Sequence, residues 1–374
     1  MTLTLIRNAT TWAPAPLGRK DLLLGGDRIL AIADHLDLHA NWAGSVQVIE
    51  AEGLHAIPGL IDTHTHMTGG GGEGGAETRV PPMLIESFRR AGVTTAVGLL
   101  GTDCTTRSIA ELLACARGLE SQGLRTFVYT GGYMVPPRTL TGSVRDDIVH
   151  VDRIIAVGET AISDHRSSQP TFDEFVRLAA DAHVAGMMTK KAGLLHLHLG
   201  DGARKLELVR RALRETELPP RVFHPTHCNR NRPLWEDAKD LSRLGCTLDV
   251  TAFDAEGDAP DAAGAFLEWR AEGLDPARLT ISSDGGGCLP TFDSDGVLLH
   301  MDVGSSETLL QAVRAIVAAG VPLDEALLPF TRNPARHFRF RDRGELRPGL
   351  LADVVLLDAE LRVVPTHAAR VDTR

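Results

Sequence analysis

The stretch GLIDTHTHMTGGGGEGG, residues 59–75, sets an apolar lead-in against two histidines in a His-x-His spacing, then a run of glycines broken by one charge, Glu73. In an extended strand residues i and i+2 project from one face, so the imidazoles of His64 and His66 can reach a single point. Two neutral imidazoles at a strand end are natural ligands for zinc or a similar borderline cation. The glycines continue neither a strand nor a helix well, and they let backbone pass close to a ligand. The same unit, a short apolar run ending in a chemically capable residue, recurs down the chain.

The runs are HAIPGLID, VTTAVGLL, RTFVYT, RIIAVGE, GLLHLHL, VFHPTH, CTLDVT and LTISSD. Between them lie amphipathic segments such as IAELLACARGLESQG, FDEFVRLAADAHVAG and LWEDAKDLSRLG. Strand-like runs that alternate with helical periodicity predict a parallel (β/α)8 TIM barrel. The capable residues at or just past the run ends are His64 and His66, Thr102 and Asp103, Tyr133, Glu159, His198, His227 and Asp284. Barrel active sites lie at the C-terminal ends of the strands, which is where these residues fall.

Outside the barrel the texture changes. Residues 1–54 alternate in hairpin fashion, with Gly25-Gly26-Asp27 as a turn, and the alternation returns in GELRPGLLADVVLL. Both chain ends are therefore expected to form one small β-sandwich domain, 1–54 with 341–374, around a barrel of residues 55–340. A net charge of −10 argues against nucleic acid or an anionic membrane as partner. No apolar run approaches the length of a membrane span. The N-terminal stretch lacks the charged and apolar regions of a secretion signal. The five cysteines are scattered with no Cys-x-x-Cys pair, as expected of reduced thiols in a cytoplasmic protein.

Taken as chemistry, four imidazoles (His64, His66, His198, His227) and the carboxylate of Asp284 exceed what one zinc needs and suit two metals sharing a bridging group. A water held between two divalent ions ionises near neutral pH. Asp284 could take its proton and pass it to a leaving amine. Tyr133 is placed to donate to the oxyanion of a tetrahedral intermediate. His196 lies on the same face as His198 but deeper, and is expected to be a packed interior histidine; His224 and His165 are read as equally bland.

With these residues in view, GLIDTHTH, the lone His198 and His227, ISSDG and the C-terminal GELRPGLLADVVLL resemble the amidohydrolase superfamily. GGGGEGG, GLLGTD, TGGYMVPPRTLTGSVRDD, AISDHRSSQP, LHLGD and PTHCNRN are similar, in matching order over almost the whole chain, to the isoaspartyl (β-aspartyl) dipeptidase family. The resemblance implies a cytoplasmic homo-oligomer, an octamer, with two zinc ions. It implies cleavage of β-linked aspartyl dipeptides, small zwitterions left from proteins whose Asp or Asn residues have isomerised. By the same resemblance His64, His66 and Asp284 would bind the more buried metal, and His198 and His227 the second. Glu73 would pair with the substrate's α-amino group, and Arg166 and Arg230 would hold a substrate carboxylate, as guanidinium forks suit. Thr102 would contact the substrate main chain, and Tyr133 would polarise the scissile carbonyl.

Two positions depart from the family. Its fourth strand ends in a lysine, carboxylated by carbon dioxide, that bridges the metals; here that place is Glu159. Glutamate already carries a carboxylate, so Glu159 is expected to bridge directly, with no carbon dioxide requirement. Its stem is shorter, which calls for the strand or the metals to lie further in. The alternative is a weakened second site and a single-metal enzyme. Cys288 stands where the family has a serine near the substrate carboxylate, and a thiol is the poorer donor. Two other functions stay open at this point. One is an amidohydrolase acting on a cyclic amide or an N-acyl amino acid; the other is a catalytically silent barrel relative.

Overall fold

The computed structural model describes residues 3–37, 46–254, 257–292 and 298–365. Eight parallel strands form the barrel: β1 (Leu60–Thr65), β2 (Val93–Gly98), β3 (Arg125–Thr130), β4 (Ile154–Ile162), β5 (Leu195–Leu199), β6 (Phe223–Thr226), β7 (Leu248–Thr251) and β8 (Leu279–Ser282). β1 to β6 make one continuous ladder, and β7 pairs with β8. Two seams complete the ring. Cys228 N donates to Asp249 O at 3.2 Å between β6 and β7, and His66 N donates to Gly285 O at 2.7 Å between β1 and β8.

The strands are short and buried on both faces, which parallel sheets enclosed by helices require. β5 shows how the sequence meets that demand. In LHLHL, Leu195, Leu197 and Leu199 enter the main apolar core outside the sheet. The alternate residues, His196 and His198, project to the opposite, inner side. Helices pack over the leucine side. The helix Phe172–Thr189 starts with a capping box, Thr171 against Glu174, and buries Phe175, Leu178, Ala179, Ala182 and Ala185. It stops at Lys190, which is left-handed at φ 62°. Phe175 stacks on Phe223 at 5.6 Å, tying this helix to β6.

The chain ends supply the small β domain. Its strands, Leu3–Trp12, Pro16–Gly25, Arg28–Ala33, Val46–Glu50, His55–Pro58 and Val354–Leu357, are linked by hydrogen bonds into one six-stranded sheet with a separate core. The sandwich expected from the sequence is thus built from a single connected ladder. Leu3–Trp12 shifts register against Pro16–Gly25 between Ile6 and Ala9, and its first half also pairs with Val46–Glu50 and its second with His55–Pro58. The run HAIPGLID therefore divides. His55–Pro58 pairs with Val354–Leu357 in the small sheet, and only Leu60 onward is barrel strand, which moves the expected change at residue 55 to Gly59. Gly59 permits the crossing because a Cβ there would lie 2.1 Å from Thr94 Oγ1. A hairpin after β8, Cys288–Phe292 with Leu298–Val303, has no counterpart in the sequence reading.

Candidate metal and substrate site

The ends of β1, β4, β5, β6 and β8 bring six of the expected side chains to one point. The carboxylate of Glu159 lies at the centre. Its Oε1 is 3.5 Å from His66 Nε2, and its Oε2 is 3.5 Å from His64 Nε2, 3.1 Å from His198 Nδ1 and 3.7 Å from His227 Nε2. Asp284 closes the other side, with Oδ1 at 3.0 Å from His66 Nε2 and 3.3 Å from His64 Nε2. Three overlapping groups could each hold a metal ion: His64, His66 and Glu159; His64, His227 and Asp284; Glu159, His198 and His227. Glu159 belongs to two of them.

Local backbone aims these groups. His227 and Asp284 are left-handed, at φ 58° and 53°, so each turns off its strand direction as the strand ends. Such non-glycine conformations cost about 1–3 kcal/mol each and persist where surrounding contacts fix them. The contacts are present: His227 Nδ1 meets Thr251 Oγ1 at 2.7 Å, and Gly287 N donates to Asp284 O at 2.9 Å. Gly101 seats the His66 ring, since a Cβ there would approach His66 Cε1 to 2.7 Å; Thr102, half-buried, follows it.

The polar atoms of the cluster ask for a cation. His64 Nε2 and Asp284 Oδ1 are buried with no well-formed hydrogen bond. Burial should neutralise Glu159, yet the charge of His64 and the hydrogen bonds of His198 and His227 outweigh it and hold the carboxyl well below the usual range. Burial is likewise outweighed at Asp284, by His64 and His66. His64 answers the same field. Burial opposes its charge, but Glu159 and Asp284 carry its pKa up to about 9, so a proton is drawn to this spot. His227, in which burial dominates, is pushed down to about 3 and stays a neutral ligand. Two ionised carboxylates among four imidazoles, with unpaired donor atoms aimed inward, fit divalent metal.

Beside the cluster lies a second set. Tyr133 Oη is 2.8 Å from His198 Nδ1, and burial, with the charge of Glu159, pushes its pKa well above the ordinary value, so the phenol keeps its proton. The Arg166 guanidinium stands 5.4 Å over the Tyr133 ring and reaches Glu73 Oε1 at 3.5 Å. Cys288 Sγ donates to Glu73 Oε1 at 3.3 Å; burial and the Glu73 charge push that thiol up to about 12. Arg230 Nε is buried without a hydrogen-bond partner. All the residues expected from the sequence lie on the segments that form this rim.

Three features escaped the sequence. Asp164 accepts from Arg166 Nη2 at 2.8 Å and meets His198 Nε2 at 3.0 Å, so it couples the arginine to a candidate ligand. Its place two residues before Arg166 in SDHR was the available signal. Arg107, buried, donates to Gly70 O at 2.9 Å and Val80 O at 3.0 Å while pairing with Asp103 at 3.2 Å. It holds the glycine loop from behind, and nothing in its spacing announced that. The loop also needs its glycines, because a Cβ at Gly69 (φ 78°) would lie 2.0 Å from Val80 O. His196 and His224 are interior, as expected, but they are bonded to each other and His196 to His64.

This arrangement, with the fold around it, defines a class. The model of the amidohydrolase family matches residues 55–372, and the chain belongs to that family. Among solved structures, the β-aspartyl dipeptidase of Fervidobacterium islandicum AW-1 in complex with a β-Asp-Leu dipeptide is 42% identical, with a TM-score of 0.92 over 97% of this chain and 94% of that one. A second structure of that dipeptidase matches at 41% identity and a TM-score of 0.88, over 97% of this chain and 94% of that chain. Among curated proteins, an imidazolonepropionase from Anaeromyxobacter sp. (strain K) is 26% identical over 92% of this chain and 83% of its own length. Among the described residues no helix is long and apolar enough to cross a membrane.

Proposed function

We propose that this chain hydrolyses the isopeptide bond of β-aspartyl dipeptides. The observation that carries the reading is the pairing of Glu73 with Arg166, at 3.5 Å, beside the histidine–carboxylate cluster. A carboxylate and a guanidinium on one wall of a hydrolytic site form a slot for a small zwitterion. Similarity to a dipeptidase structure that holds β-Asp-Leu supports the same substrate class.

In this proposal His64, His66, His198, His227, Asp284 and Glu159 would hold two divalent cations, zinc by preference, with the Glu159 carboxylate standing in for a carboxylated lysine. When bound, such cations lower the pKa of water and draw electrons from the carbonyl. The chain's own groups do the rest. Glu73 takes the substrate's ammonium, and Arg166 and Arg230 take carboxylate. Thr102 steadies the main chain, and Cys288, whose thiol donates to Glu73, lies at the ammonium end rather than at the carboxylate end expected from the sequence. Tyr133, protonated because it is buried next to Glu159, donates to the carbonyl oxygen as charge develops there. Asp284, ionised, takes the proton of the attacking water and hands it to the leaving amine. Cytoplasmic residence and assembly into a homo-oligomer, an octamer, belong to the same proposal.

The names of the curated relatives favour one competing reading, hydrolysis of a cyclic amide. Glu73 separates the two, because a substrate without an ammonium has no use for that carboxylate, which already pairs with Arg166 and Cys288. The test is kinetics on β-Asp-Leu, α-Asp-Leu, dihydroorotate and imidazolonepropionate, with the unaltered protein and Glu73→Gln. The proposal expects turnover of β-Asp-Leu alone, lost in Glu73→Gln. Cyclic-amide turnover that survives Glu73→Gln would overturn it.

A further inference from the structure

Below the candidate ligands the barrel interior holds a chain of hydrogen bonds that runs away from the site. His64 Nδ1 meets His196 Nε2 at 2.8 Å, and His196 Nδ1 meets His224 Nδ1 at 3.0 Å. His224 Nε2 then meets Thr280 Oγ1 at 3.1 Å, and Thr280 Oγ1 donates to Asp249 Oδ1 at 2.6 Å. All five residues are fully buried, so no water competes for these atoms. The His196 ring is clamped flat on Tyr129, with centroids 4.8 Å apart and planes 9° apart. The Tyr129 hydroxyl donates to Thr63 O at 2.9 Å.

The far end of this chain is polar in one direction only. A carboxylate accepts, and Asp249 is already the acceptor for Thr226 Oγ1 at 2.7 Å and Ser282 Oγ at 2.5 Å. Among the described residues the Thr280 hydroxyl has one other oxygen acceptor in reach, Leu248 O at 3.2 Å; donation to His224 instead would leave two bare oxygens, Thr280 Oγ1 and Asp249 Oδ1, facing each other at 2.6 Å. In either case the Thr280 proton points away from His224, so His224 Nε2 must carry the proton of that bond. A neutral His224 then offers a bare Nδ1, which fixes the proton of His196 on Nδ1 and leaves His196 Nε2 bare. His196 Nε2 can accept only from His64 Nδ1. The remaining His64 nitrogen, Nε2, is the one aimed at Glu159 and Asp284.

We propose that His196, His224 and Thr280 are positioning residues that transmit the acceptor character of Asp249 through three imidazoles, fixing His64 as the Nδ1–H tautomer with its Nε2 lone pair presented to a metal. The inference rests on the metal reading of the site. A tautomer chosen in advance, with the ring held by its own bond, is what raises the affinity of a ligating histidine. Loss of such an outer partner typically weakens metal binding about 10- to 100-fold. From the pattern alone His196 and His224 read only as interior histidines, because the order of bonds along the lumen exists in three dimensions alone.

The experiment measures zinc stoichiometry and zinc affinity, by chelator competition, on the full chain and on variants. Thr280→Val keeps shape and removes the hydroxyl; Thr280→Ser restores it. Ser282→Ala removes an equal hydroxyl from Asp249 without touching the chain of imidazoles. His196→Phe removes the acceptor of His64 directly. The expected result is zinc binding weakened about 10- to 100-fold in His196→Phe, weakened in the same direction in Thr280→Val, and restored in Thr280→Ser. Ser282→Ala should bind zinc as the unaltered chain does. Neutron diffraction of the zinc-loaded protein should place deuterium on His196 Nδ1 and His224 Nε2. Thr280→Val with unchanged affinity, equal weakening in Ser282→Ala, or deuterium on His224 Nδ1 would each overturn the relay while leaving the metal site standing. An unaltered chain that binds no zinc at saturation would instead remove the metal reading, and the relay with it.

Discussion

Replacing Arg107 by methionine removes the clamp behind the glycine loop while leaving every candidate ligand in place. Arg107 is 4% exposed, and its guanidinium donates to Gly70 O and Val80 O at 2.9 and 3.0 Å, with a longer contact to Thr68 O at 3.4 Å. Hydrogen bonds to a charged group contribute about 1.5–3 kcal/mol each, so the two short ones hold the loop by roughly 3–6 kcal/mol. Methionine would leave those carbonyls and the Asp103 carboxylate without their cation. The backbone bonds Gly69 N to His66 O and Gly70 N to Gly286 O, both 2.8 Å, survive and support the loop's start. The lower end of the range is therefore the fair value. About 3 kcal/mol lost from the ordered loop corresponds to roughly a hundredfold lower population of the conformation that presents Glu73. kcat/KM on β-Asp-Leu should fall by about that factor, through KM more than kcat. Zinc content should not change. Arg107→Lys, which keeps a charge but offers no fork, should recover only part of the loss. An Arg107→Met protein with unchanged kcat/KM would refute the claim that this clamp sets the loop.

Other consequences can be checked with the same preparations. Tyr133→Phe should lower kcat by about 10²- to 10³-fold, the usual effect of removing one oxyanion donor, with metal content intact; a kcat near that of the unaltered chain would discard Tyr133 from the reaction. Metal-free protein reconstituted with zinc should reach full activity without bicarbonate, because Glu159 brings its own carboxylate. A clear bicarbonate requirement would count against the bridging role. Glu159→Gln should lose metal as well as activity, since the one side chain that touches all four imidazoles would no longer carry charge.

How legible the site was depended on the kind of signal. His64 and His66 announce themselves because a two-residue spacing on a strand has a fixed meaning. His198, His227 and Asp284 were readable because each ends a run that alternates with helices, and a parallel barrel gathers all strand ends at one rim. Glu159 was readable by the same rule. Arg107 and Asp164 obey no such rule. Asp164 has a local partner in Arg166, but its link to His198, like the bonds of Arg107 to Gly70 and Val80, joins residues separated by tens of positions and leaves no local trace. The division of HAIPGLID is a similar case: its apolar run is continuous, and only the pairing of His55–Pro58 with Val354–Leu357 assigns it to two sheets.

By itself the sequence determined the barrel, the small domain drawn from both ends, and the inventory of metal-capable residues. These follow from periodicity, and periodicity is a property of neighbours along the chain. The tertiary structure alone decided that Glu159 lies among all four imidazoles, that Glu73 faces Arg166 and Cys288, and that a buried carboxylate on β7 is joined to His64 through two further histidines. Those facts are distances and directions between atoms far apart in sequence. They come into being only when the strands close into a ring and force the residues of the lumen to satisfy one another.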